Sequence, residues 1–152
     1  MRDMLTVVLN IIWLIFAGIE LAVAYAFAGL IMMITIIGIP FGVQAFKLAG
    51  FALWPFGRAV VPNPDASVVG STIGNILWVI LAGWWLAIAH ITAGIVLCLT
   101  IIGIPMGIAS FKMVGMAVWP FGRSVVDLST VGTLPPGSYS VGSARPPATP
   151  TD

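Results

Sequence analysis

TIIGIPFGVQAFKLAGFALWPFGRAVV (residues 35–61) returns as TIIGIPMGIASFKMVGMAVWPFGRSVV (residues 100–126), 65 positions later and without a gap. Extended outward, residues 10–61 align with 75–126, and 29 of the 52 pairs are identical. Equal register over that length means one structural unit used twice, each copy keeping the same segment lengths and turns.

The unit does not belong in water. Apolar residues make up 60% of the chain and charged residues 7%, against about 25% charged in soluble domains. Leu5 to Ile37 carries one formal charge, Glu20, and Ile73 to Ile104 carries none. Each run exceeds the roughly 20 residues that cross a hydrocarbon core. The sequence therefore predicts an all-α integral membrane protein, a tandem repeat of a long membrane helix followed by a shorter one, with about four membrane helices. Around Ala24-Tyr25-Ala26 the first run resembles a signal-peptide cleavage site, but the run is far longer than a 7–15-residue h-region. Cleavage would also remove half of a repeat, so the segment reads as a membrane helix.

Within each copy, Gly38-Ile39-Pro40-Phe41-Gly42 and Gly103-Ile104-Pro105-Met106-Gly107 break the apolar run, because proline cannot continue the helical ladder. Shorter apolar segments follow at 43–53 and 108–118. Both end at Trp-Pro-Phe-Gly-Arg (54–58 and 119–123), where Trp54 and Trp119 suit the headgroup level and Arg58 and Arg123 reach for phosphate and water. The organisation expected is a first repeat at 5–61, a linker at 62–74, a second repeat at 75–126 and a disordered Pro/Gly/Ser-rich tail at 127–152.

From Gly42 to Phe56 a helix would rise about 22 Å, short of a hydrocarbon core of about 30 Å. The segment either crosses with thinning and snorkelling or is re-entrant. If it crosses, each copy is a hairpin, the two copies run parallel, and Arg2, Arg58 and Arg123 share one side. If it does not, the copies are inverted and Arg58 and Arg123 lie on opposite faces. The positive-inside rule favours the hairpin, with both termini in the cytoplasm.

Small residues form one stripe on each long helix: Gly18, Ala22 and Gly29 with Tyr25, and Gly83, Ala87 and Gly94 with His90, each set within about 60° of arc. Such stripes let membrane helices approach closely, and this one is expected to be a seam between long helices, within or between chains. Five residues are candidate polar groups inside the membrane: Lys47, Lys112, His90, Glu20 and Tyr25. His90 reads as a neutral core histidine bonded across the seam. Lys47 and Lys112 read as snorkelling lysines or as a ring guarding an anion path. Glu20 has Trp85 as its counterpart and points about 190° from the stripe, where it faces an oligomer interface, pairs with Lys47 or Lys112, or stays protonated. Asn10 and Asn75 read as interfacial or interhelical polar residues.

No catalytic set appears: there is no Ser/His/acid group and no phosphate loop. No metal site is expected, since Cys98 and His90 lack companion ligands. No cofactor is implied, and a net charge of +1 gives nucleic acid no footprint. The partners expected are the lipid bilayer and either further copies or another membrane protein. The functional expectation is a non-enzymatic component of a membrane complex; the alternative is a small channel or transporter lined by the repeated lysines.

These residues resemble the YccF family of bacterial inner-membrane proteins, whose repeated unit is called the inner membrane component domain. Asn75, Trp78, Gly83-Trp84-Trp85, His90, Gly94, the IIGIP run ending at Pro105, Phe111-Lys112, Trp119-Pro120 and Gly122-Arg123 carry the resemblance. The first copy keeps Asn10, Trp13, Gly18, Pro40, Lys47 and Trp54–Arg58, but departs at Ile19-Glu20 and at Tyr25. The resemblance implies a multi-pass protein of the bacterial plasma membrane and implies no reaction.

Overall fold

The computed structural model describes residues 2–141, with side chains from Met4 onward. Each copy is a helical hairpin. The first long helix is built from α1 (Arg2–Trp13), a π-helical turn (Leu14–Gly18) and α2 (Ile19–Met33), and the chain turns back through α3 (Ile39–Leu53). The second repeats this with α4 (Val68–Trp78), a π turn (Val79–Gly83), α5 (Trp84–Cys98) and α6 (Ile104–Val118). The two long helices are apolar and long enough to cross a membrane, and the two shorter ones are apolar as well.

The turn is dictated by its residues. Pro40 and Pro105 occupy the first turn of the short helices, where a missing N–H costs nothing. A Cβ on Gly38 would collide with the Met32 carbonyl oxygen, and one on Gly103 with that of Leu97, so only glycine fits. Thr35 Oγ1 donates to the Met32 carbonyl and accepts from Gly38 N–H, and Thr100 does the same with Leu97 and Gly103.

At the other end, two residues on the long helix hold the close of the short one. Asn10 is fully buried, donates from Nδ2 to the Phe56 carbonyl (3.0 Å) and accepts from Phe56 N–H (3.0 Å). Asn75 does the same to Phe121. Trp13 and Trp78 donate their indole N–H to the Ala52 and Ala117 carbonyls. Gly18 and Gly83 close the π turns and leave room for these rings, since a Cβ on either would lie 2.9 Å from Trp13 or Trp78 Cδ1. Asn10 and Asn75 are thus structural clamps rather than interfacial residues.

Tyr25 and His90 on the small-residue stripe meet across the two long helices as expected, but the glycines of the stripe pack elsewhere. A Cβ on Gly29 would meet Ala45, Phe46 and the Gly42 carbonyl, and one on Gly94 would meet Phe111. The stripe therefore lets each long helix approach its own short helix, and long helix meets long helix only narrowly.

A sheet joins the copies. β1 (Arg58–Pro62) lies between β2 (Arg123–Asp127) and β3 (Tyr139–Ser140), both antiparallel to it. Gly57 and Gly122 have φ of 86° and 81°, a left-handed turn that swings each Trp-Pro-Phe-Gly-Arg end into its strand. Val60 stands opposite Val125, its own counterpart in the repeat. Tyr25 likewise meets His90, its counterpart, at 3.0 Å. A pseudo-two-fold axis passes through both pairs. One groove is lined by Phe16–Ala24 from the first long helix and Ala89–Thr100 from the second, so the stretch preceding Tyr25 in one lies beside the stretch running past His90 in the other. The hairpins therefore cross rather than run in parallel, which corrects the parallel expectation, while Arg58 and Arg123 begin neighbouring strands of the one sheet.

That crossing brings each hairpin's turn toward the other copy's strand. The Phe41 ring packs edge-on at 5.4 Å against Phe121, Gln44 Nε2 donates to the Pro120 carbonyl (3.1 Å), and Lys47 Nζ to that of Arg123 (3.0 Å). One continuous core results, including Trp13, Tyr25, Phe51, Trp78, Leu86, Met106, Met116, Val60 and Val141.

Two segment assignments change. The linker shrinks because α4 starts at Val68, with the Ser67 hydroxyl capping Gly70 N–H. The tail is ordered as far as Val141, because β3 pairs with β1 and Val141 is buried; the remainder of the expected disorder, residues 142–152, lies outside the described residues.

Gly94→Leu should lower the melting temperature in detergent strongly, because overpacking against Phe111 costs about 1–3 kcal/mol. Gly50→Leu, where nothing lies within 4 Å, should leave it nearly unchanged. Equal melting of the two variants would refute the packing role of the stripe.

Candidate functional site

Besides Tyr25 and the indoles of Trp13 and Trp78, the polar side chains buried among the described residues are Asn10, Asn75, His90 and Ser110. The asparagines are consumed by the clamps. The other two meet Tyr25 on the pseudo-two-fold axis, where α2, α5 and α6 converge. Ser110 Oγ donates to the His90 carbonyl (2.7 Å) and lies 3.4 Å from His90 Nδ1. Because that hydroxyl proton is already spent, Nδ1 carries the imidazole proton and donates to Ser110, leaving the Nε2 lone pair to accept from the Tyr25 hydroxyl at 3.0 Å. Every donor and acceptor on the neutral ring is satisfied, as a buried polar network requires.

The repeat explains how this arose. Position 25/90 is Tyr in one copy and His in the other, and position 45/110 is Ala in one and Ser in the other. Tyr25 needs one partner and has it; His90 needs two, and Ser110 supplies the second. Sequence reading found Tyr25 and His90 and missed Ser110, although the paired mismatch was its signal.

The remaining candidates are not drawn to this network. Lys47 and Lys112 are exposed and reach the sheet, donating to the Arg123 and Ser140 carbonyls (3.0 and 3.3 Å). They lie on the exterior, apart from buried His90. Arg58 Nη1 donates to the Gly50 carbonyl, and the Arg123 guanidinium sits 5.8 Å over the Tyr139 ring. Trp54 is half-buried and Trp119 is 39% exposed beside these arginines. Asp127, opposite Arg58 in the sheet, has its carboxyl held below the ordinary range by hydrogen bonds from Ser129 N–H and Oγ.

Glu20 is exposed at a laterally open groove of about 600 Å³, floored by Ala17, Ala24, Ala89 and Ala93 and joined by Thr92. In the pseudo-equivalent positions the other side carries Trp85 for Glu20 and Phe27 for Thr92. The two-fold is thus broken in its chemistry: Glu20 and Thr92 on one side stand where Trp85 and Phe27 stand on the other. Among the described residues, no group of three or more His, Cys, Asp or Glu could hold a metal ion.

A helical repeat of apolar hairpins, clamped by buried asparagine and tryptophan and capped by a charged sheet, defines a membrane-embedded protein. The family model described as the inner membrane component domain matches residues 8–58 and again 73–123. The chain belongs to this family, YccF, and is an inner-membrane protein by that membership. It is 37% identical over 131 residues, 81% of this chain and 88% of the relative, to inner membrane protein YccF of Escherichia coli K12, and equally to that of Shigella flexneri. No solved structure matches it.

Tyr25→Phe should remove the donor to His90 Nε2 and cost about 0.6–2 kcal/mol in a bilayer. Reversible unfolding in mixed micelles checks this, and Ser110→Ala in the same background should add less than it costs alone, as members of one network do.

Proposed function

We propose that this protein is a non-catalytic component of the inner membrane that acts by associating laterally with further copies of itself. The observation that carries the reading is that Asn10, Asn75, His90 and Ser110, the polar side chains buried within the helices together with Tyr25, are bound up in holding the fold. None is left as a nucleophile, base or ligand facing a cavity, which is what chemistry at this site would need. The axis between the copies is filled by Tyr25 and His90, both at most 1% exposed. The lysines of a channel reading stand on the outside instead.

Glu20 is the residue we assign to association. A carboxylate in an apolar helix is costly, and such residues mark functional contacts. The lysines of its own chain turn to the sheet, so the complement comes from outside the fold, on a second copy. The floor of the groove is alanine, which permits close helix approach. By the excess of basic residues on the sheet face, that face lies in the cytoplasm.

Mass measurement in nanodiscs or mild detergent tests the proposal. Glu20→Gln should weaken self-association roughly tenfold, equivalent to about 1.4 kcal/mol, while the melting temperature stays within a degree or two. A wild-type chain that remains monomeric at every concentration overturns it. Ion flux in liposomes that Lys112→Ala abolishes would establish the channel alternative in its place.

A further inference from the structure

We propose that both hairpins enter the bilayer from the sheet side alone and end inside the hydrocarbon, so that their Ile-rich turns never reach the opposite face. This concerns how the fold meets lipid and does not depend on self-association.

The sheet fixes the reference plane. Among the described residues it is an open, three-stranded sheet whose outer strands β2 and β3 have unpaired edges, and open edges do not occur at hydrocarbon depth. It carries Arg58, Arg123 and Asp127, receives Lys47 and Lys112, and continues into Asn63-Pro64-Asp65. All of this belongs in water or among headgroups.

The turns cannot lie a bilayer away from that plane. Gly38, at the turn, is three helical residues from Phe41, a rise of about 4.5 Å. Phe41 packs at 5.4 Å on Phe121. Phe121 is two residues from Arg123, at most about 7 Å of extended chain. Even with both phenylalanine side chains added, the path falls short of a hydrocarbon core of about 30 Å. The pseudo-two-fold axis gives the second turn the same relation to the first strand. Long helices of about 45 Å must therefore lie obliquely, and the short helices do not need to span.

The turns are built for lipid. Ile34, Ile36 and Ile37 are 82%, 87% and 82% exposed, and Leu99, Ile101 and Ile102 are 79%, 87% and 72% exposed. No charged or aromatic anchor stands at either turn between Leu30 and Pro40 or Ile95 and Pro105, whereas a loop emerging at a far interface normally carries one. Part of the turn's backbone closes on itself: Ile34, Thr35, Gly38 and Ile39 N–H groups donate to Ile31, Met32, Thr35 and Ile36 carbonyls, and 99–104 repeat the pattern. The partner this surface fits is the acyl region of a single bilayer, approached from one side.

Single cysteines at Asp65, Ile36 and Ile101 in a Cys98→Ser background test this with a membrane-impermeant maleimide on inside-out vesicles and on spheroplasts. Asp65→Cys should react from one side only, and Ile36→Cys and Ile101→Cys from neither. A nitroxide attached to either turn cysteine in detergent, then returned to phospholipid bilayers, should report a depth near the midplane, about 15 Å from each headgroup layer. Turn labelling from the side opposite Asp65→Cys, or a nitroxide at the far headgroup, would show full crossing and overturn the proposal. Turn labelling from the same side would place the hairpins at the interface and overturn it equally.

Discussion

The fold depends on one arrangement made twice: a buried carboxamide on the long helix satisfying both backbone groups of Phe56 or Phe121. A helix end buried in a protein core leaves its last carbonyls and the following N–H groups without water to bond. Asn10 and Asn75 answer the Phe N–H and C=O, while Trp13 and Trp78 answer a carbonyl of the last turn. With those groups satisfied, the chain can leave the helix through a left-handed glycine and start a strand. Removing the amide would strand two buried backbone groups, each costing about 1–3 kcal/mol.

The opposite end of each hairpin uses a different solution to the same problem. There the turn closes on itself through threonine and glycine, without help from the neighbouring helix. One end of the hairpin is thus tied to tryptophan, arginine and a sheet, and the other is bare isoleucine. That polarity within each repeat, combined with the crossing at Tyr25 and His90, collects both charged ends on one face of the molecule.

Much of this was legible in the sequence. The repeat register, the Gly-Ile-Pro break and the Trp-Pro-Phe-Gly-Arg ends define the hairpins directly, because proline and glycine act locally. What the sequence hid was relational. The Val-Val runs at 60–61 and 125–126 are too short to announce strands, and they pair only because the axis brings counterparts together. The glycine stripe showed that helices pack closely without showing which, and the nearest partner in the chain, Phe111 for Gly94, proved to be the answer. Ser110 was invisible by itself, since one serine in an apolar helix differs little from alanine until His90 is placed beside it.

The contact at the axis bears on why two repeats share one polypeptide. A single-repeat chain pairing with itself would bring two identical side chains together at position 25/90 and give both the same neighbour at 45/110. Duplication within one gene frees the halves to diverge in concert, one becoming the hydroxyl that gives and the other the ring nitrogen that receives. The same liberty lets one flank hold an acid while its mirror image holds tryptophan, so a molecule of near-symmetric architecture can present two unlike sides to its surroundings.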